Sequence, residues 1–278
     1  MNTKLFTFLA SFSTLVYGQR HVQIDKARYR CLYELTHKQD TTNLTLKKSE
    51  NFTLQIGDSI SVFMSLAEYQ KDSLYRVKNI WNLSAGEKIA IASSAPRSIF
   101  EYKILKNEQS QKISYHEALT RTTYVYEESY KILKWKILSD TSTVGGYKCQ
   151  KATTYLFGRN YTAWFAPSIP IQDGPYKFGG LPGMIIQMYD SKKHYNFMLV
   201  EFRKLKVQKP MFVDAKNFTT KTSKKQFNLL KKRFEESMFQ SSSMDDNISF
   251  SIDGTPITAQ EFERGVKKMI KLNPIEKN

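Results

Sequence analysis

Residues 169–190 read IPIQDGPYKFGGLPGMIIQMYD, in which three prolines and four glycines crowd an otherwise strand-like stretch. A phosphate-binding P-loop needs its glycines followed by Lys-Ser/Thr at a helix start, where amides and lysine meet the phosphate. Here Gly183 runs into Met184-Ile185-Ile186, a strand-forming run. A nucleophile elbow needs Gly-x-Ser-x-Gly, and no serine separates these glycines. The residue types suit a stiff turn instead. Gly179, Gly180 and Gly183 tolerate positive φ, and Pro182 locks its own. Pro175 and Pro182 push Gly174 and Leu181 toward extended backbone. The stretch reads as a fold-defining turn feeding a buried strand. Tyr176, Lys177 and Phe178 give it a recognition surface, since rigid exposed loops carry binding groups well.

The segments on either side are β-rich. Tyr147–Phe157 and Tyr161–Ala166 make a hairpin across Gly158-Arg159-Asn160, and Met184–Tyr189 pairs with Tyr195–Val207 across residues 190–193. Upstream, Tyr29, Cys31, Tyr33 and Leu35 alternate as a half-buried strand. Short strands follow at Thr53–Ile56 and Ile60–Met64, then a helix or polar connection over Leu66–Ile80. Further strands fall at Ile99–Leu105 and Arg121–Glu127. The tail changes character: Phe227, Leu230, Phe234 and Met238 recur at helical spacing. A second helix opens at Thr258 with Glu261 completing a capping box, and Phe262, Val266, Met269 and Ile270 form its stripe. The expected class is α+β: a curved antiparallel sheet, meander or half-barrel, with helices mainly C-terminal. Residues 19–207 form the β-rich domain, and 208–278 a helical extension packed on the sheet.

The first 18 residues, one lysine and then an apolar run ending in small Val16 and Gly18, read as a secretory signal peptide. No later window is apolar enough to span a bilayer. The remaining chain of about 260 residues can bury a large core, and 16 Tyr and 18 Phe exclude a disordered composition. The formal charge of +16 favours anionic partners such as lipid headgroups or acidic glycans. Export and the lack of a nucleic-acid motif argue against nucleic acid. The basic amphipathic tail helices also suit peripheral membrane contact. In an oxidising compartment Cys31 and Cys149 suggest one disulfide, closing a loop of about 118 residues for about 4 kcal/mol. The four histidines are scattered without metal-ligand spacing, so neither metal nor cofactor is expected.

One resemblance adds to this. WFAPSIPIQDGPYKFGGLPGMIIQMYD, with Gly180–Ile185 as its centre and Met184 where leucine is usual, resembles the signature of the GLPGLI family of exported Bacteroidota proteins. GYKCQKAT at 146–153 and FTLQIGDSISVF at 52–63 are similar to its upstream segments. The resemblance implies a periplasmic or outer-membrane-associated location and a link to TonB-dependent receptors. It argues against glycans on the six Asn-x-Ser/Thr sites, and it brings no catalytic residues. A non-catalytic binding or accessory protein is the reading that follows, with Arg159, Trp164, Tyr176, Lys177 and Phe178 as its binding residues. Two alternatives compete. An exported hydrolase or thiol enzyme would use Cys149 with His116 or His194, or the Asp173/Asp190 pair. Copper handling would use Met184, Met188, Met198 and Met211.

Overall fold

The computed structural model describes residues 21–38, 47–79, 82–119, 122–215, 218–243, 250–252, 255–257 and 275–276. The expected signal segment and the helix expected from Thr258 lie outside them. In chain order come β1 (His21–His37), β2 (Lys48–Ile56), β3 (Ser61–Ser65), α1 (Leu66–Val77), α2 (Ala85–Ser94), β4 (Lys103–Asn107), β5 (Lys112–Leu119) and β6 (Thr122–Ser129). Then follow β7 (Lys136–Val144), β8 (Tyr147–Leu156), β9 (Arg159–Ala166), β10 (Met184–Asp190), β11 (Tyr195–Asp214), β12 (Thr219–Lys221), α3 (Lys224–Ser243) and a hairpin of β13 (Phe250–Ile252) and β14 (Thr255–Ile257).

The protein is mostly β. Twelve strands form one open sheet in the order β12-β6-β5-β4-β3-β2-β1-β11-β10-β9-β8-β7. Two antiparallel meanders, β1–β6 and β7–β11, meet where β1 pairs with β11. The sheet is mixed because β12 runs parallel to β6. Helices are only partly C-terminal, since α1 and α2 interrupt the first meander. α2 has a sequence signal of its own: Ser84 and Glu87 form a full capping box, the Ser84 N–H donating to Glu87 Oε2 at 2.9 Å. β11 runs unbroken past residue 207, so the domain boundary expected there falls inside a strand.

The connection from β6 to β7 forces the sheet to curl. Laid flat, ten strand spacings would separate them by about 48 Å. Residues 130–135 are all that joins them, and such a link reaches at most about 25 Å. The inward positions then pack on one another across the hollow. Cys31, Tyr33 and Leu35 on β1, Phe52 and Leu54 on β2, Phe63 on β3 and Ile104 on β4 share one buried cluster with Tyr161, Phe165, Met188 and Phe197 from the other meander. Phe52 stacks on Phe63 at 5.0 Å, and Phe197 meets both edge-on at 6.1 Å. Phe227 of α3 enters the same cluster against Tyr115 and Tyr126.

A smaller cluster lies on the opposite face, where Ala27, Val62, Met64 and Met211 are buried and Tyr69 of α1 packs on them. Ser65 caps α1, accepting from the Glu68 N–H at 3.2 Å.

The expected disulfide is not formed: Cys31 and Cys149 are buried free thiols. Cys31 sits on β1 and Cys149 on β8, with β11, β10 and β9 between. A bridge needs Cα atoms ~5.5 Å apart, whereas four strand spacings, about 19 Å of sheet, lie between these two strands.

Candidate functional site

The glycine loop lies inside the curl. Tyr176, Lys177, Phe178 and Leu181 are buried, Lys177 with 0% exposure. The recognition surface expected of this segment is therefore a plug. Its shape is set by the backbone: Gly180 N–H donates to Gln172 O at 2.9 Å, Met184 N–H to Ile169 O at 3.0 Å and Ile185 N–H to Asp173 O at 3.0 Å. Gly183 has φ +155°, and a Cβ there would lie 2.3 Å from the Ala166 carbonyl oxygen, so only glycine fits. Side chains from the first meander and from the 130–135 link clamp the plug. Trp135 Nε1 donates to Gly179 O at 2.8 Å, and Tyr33 OH to Ile185 O at 2.6 Å. Lys106 Nζ donates to Gly174 O at 2.6 Å and pairs with Asp173. Burial pulls the Lys106 ammonium down in pKa against the pull of Asp173.

Lys177 enters an aromatic cage. Its Nζ donates to Tyr126 OH at 3.0 Å and pairs with Glu128, and with Glu276 at 2.6 Å. It lies 4.9–5.1 Å from the ring centres of Tyr126, Tyr115 and Phe157. Lys224 of α3 pairs with the same two carboxylates, at 3.0 Å to Glu128 and 2.6 Å to Glu276. A buried charge needs this pairing, because an isolated one is too costly to hold in a dry interior.

Arg159 is also buried. It pairs with Asp190 at 3.1 Å, approaches His194 Nδ1 at 3.3 Å and lies over the Tyr195 ring. Asp190 in turn accepts from the Tyr195 N–H at 2.8 Å. The cluster locks the β10–β11 turn. Of the five expected binding residues, only Trp164 reaches solvent, half-buried on the outer side of β9.

The strand registers build a face around Trp164. Lys151, Trp164, Gln187 and Met198 lie opposite one another across β8, β9, β10 and β11. The next row carries Lys136, Thr153, Thr162, Tyr189 and Asn196 from β7 to β11. Tyr155 and Asn160 form a third pair, and Tyr155 is 69% exposed. Gln187 Nε2 donates to Asn196 Oδ1 at 3.0 Å, which orients both amides. Lys151 Nζ sits 5.9 Å from the Trp164 ring centre, and Lys193 Nζ 5.8 Å from that of Tyr189. A groove of about 400 Å³ adjoins the face, lined by Lys134, Lys136, Thr153, Tyr155, Asn160 and Ser191 among others. α1 packs on β2 and β3 and α3 on β6, away from these rows. Sequence alternation marks the outward residues of each strand, but the register that aligns them comes only from pairing.

The residues of the competing readings have other surroundings. Burial raises the Cys149 thiol pKa, and its Sγ lies 3.4 Å from the Tyr147 carbonyl oxygen. Asp173 is held by Lys106 and Asp190 by Arg159. Met184 and Met188 belong to the large buried cluster and Met211 to the small one, while Met198 lies on the outer face. Among the described residues, no group of three or more His, Cys, Asp or Glu could hold a metal ion, and no helix is long and apolar enough to cross a membrane.

Comparison with known proteins places the fold more than the activity. No curated protein matches by sequence. Two solved structures of PNGF-II, in space groups P21 and C2, superpose with a TM-score of 0.52 at 10% identity over 76% of this chain. They share its fold, and the chain spans 34% and 33% of their length. Residues 156–187, from the end of β8 through the glycine loop into β10, match a family described as "Protein of unknown function (Porph_ging)".

Proposed function

We propose that this is a non-catalytic binding protein of the periplasm or outer-membrane surface, a member of the GLPGLI group serving a TonB-dependent receptor. Its docking surface is the outer face of β7–β11 centred on Trp164. The ligand class that suits this face is an acidic glycan. Trp164, Tyr155 and Tyr189 offer flat apolar rings for sugar faces, with polar groups at their edges. Gln187, Asn196, Thr153 and Thr162 supply donors and acceptors for hydroxyls. Lys136, Lys151 and Lys193 supply charge for carboxylates, in line with the +16 balance of the chain. The single observation behind the reading is the register that sets Lys151, Trp164 and Gln187 side by side.

The test is retention and titration calorimetry on polygalacturonate, with neutral dextran as the contrast. Polygalacturonate should bind, dextran should not, and Trp164→Ala should weaken binding at least about tenfold. If native protein ignores polygalacturonate, or Trp164→Ala binds as well as native, the reading fails.

A further inference from the structure

The concave side carries a second site, already filled by the chain itself. Glu276 reaches the Lys177 cage from a point about 100 residues away in sequence. Three groups hold its carboxylate, each at 2.6 Å: Lys177 Nζ, Lys224 Nζ and Tyr176 OH. Its neighbour Ile275 packs on the large buried cluster. The Ile275 carbonyl oxygen accepts from Tyr161 OH at 3.0 Å. The pocket thus reads three features of one short peptide: an apolar side chain, a main-chain carbonyl and an acidic side chain.

The receiving side is built without Glu276. Glu128 bridges both lysines by itself, and Tyr126 accepts a further bond from Lys177. Tyr115, Tyr126, Phe157 and Tyr176 wall the Lys177 ammonium, and Phe157 also lies 4.7 Å from Lys224. Counted without Glu276, two ammoniums face one carboxylate in an aromatic surround. That leaves one positive charge and a place for one anion. Burial opposes ionisation of Glu276, yet Lys177 and Lys224 more than offset it and hold the carboxyl below its usual range.

We propose that this cage is a binding site for an apolar–acidic peptide segment, and that Ile275-Glu276 occupies it as a displaceable internal ligand. A partner chain bearing the same pattern would enter by displacing it. A tethered segment competes at an effective concentration of about millimolar, so the native chain should resist weak competitors. The site is separate from the outer face, and neither depends on the other.

The probe is the fluorescently labelled octapeptide KLNPIEKN, the sequence of residues 271–278, added to the full chain. Glu276→Gln weakens the internal ligand and leaves the cage intact. The variant should bind the added peptide at least about tenfold more tightly than native protein does. A peptide with glutamine in place of its glutamate should bind the variant at least about tenfold more weakly. Adding Lys224→Gln to the variant should abolish the gain, while Trp164→Ala should not change it. The proposal is overturned if the variant takes up no peptide at millimolar concentration, or binds both peptides equally. It is also overturned if Glu276→Gln alone unfolds the protein by circular dichroism, because the contact would then be a structural clasp.

Discussion

Gly183 shows how one backbone angle can hold a whole sheet. The Cβ of an alanine there would meet the Ala166 carbonyl oxygen, carbon and the Pro167 nitrogen, all within 2.9 Å. Backbone cannot swing aside as a side-chain tip can, so Gly183→Ala should cost about 2–4 kcal/mol, read as a shift in urea midpoint. His37 supplies a pH dependence. Burial, with Lys48 adding to it, lowers its pKa from 6.5 to about 4, and its ring lies between Phe100 and Tyr195. The folded protein thus binds the proton less well than the unfolded chain. Its contribution is fully present above pH 6.5 and is lost as pH falls from there toward 4. At pH 5 the loss amounts to about 2 kcal/mol. His37→Phe keeps a ring and removes the proton site, so the fall in stability between pH 7 and pH 5 should shrink by that amount. An unchanged slope would show that other groups set it. The loop glycines were legible in sequence because their chemistry is local. The burial of Lys177 was not, because a lysine is nearly always exposed unless its partners are known.

Periodicity made most elements legible. The alternation of Tyr29–Leu35, the hairpin about residues 158–160 and the stripe Phe227–Leu230–Phe234 correspond to β1, the β8–β9 pair and α3. α2 and β5 are among the elements that went unread, as are the short strands β12, β13 and β14. α2 is almost wholly exposed, so it lacks an apolar stripe, and Ser84 with Glu87 was its only signal. β5 buries Ile113, Tyr115, Glu117 and Leu119 on one side, and the charged member breaks the pattern. Glu117 is accommodated because Tyr115 OH and Lys231 Nζ each donate to it at 2.6 Å. α3 is anchored chiefly by Phe227, with Leu230 and Phe234 packed more loosely on the same cluster. Phe227→Ala should therefore cost about 3 kcal/mol. It should also expose residues 224–243 to limited proteolysis well before the sheet is cut. Cleavage as slow as in native protein would mean that α3 is held mainly by its lysine pairs.

The curl of the sheet decides what the protein can do. It turns the glycine loop inward, closes an aromatic cage around Lys177 and leaves the outer rows about Trp164 facing solvent. Strand order, with β11, β10 and β9 between β1 and β8, keeps the cysteines apart. Native protein should leave both thiols unreactive toward a disulfide reagent, and denatured protein should titrate two per chain. A native mass lower by two hydrogens would instead reveal a bridge. By itself the sequence determined the local grammar: strand alternation, turn residues, the stiffness of the Gly-Pro loop, the amphipathic α3 and the strongly basic balance. Each follows from the properties of neighbouring residues along the chain. Only the tertiary structure decided which residues meet. Whether Lys177 is surface or interior, whether Cys31 reaches Cys149, and whether Trp164 stands beside Lys151 and Gln187 all depend on strand order and register. Those are set by pairings between residues tens to more than a hundred positions apart, whose energy is shared across the sheet and leaves no mark on any single stretch.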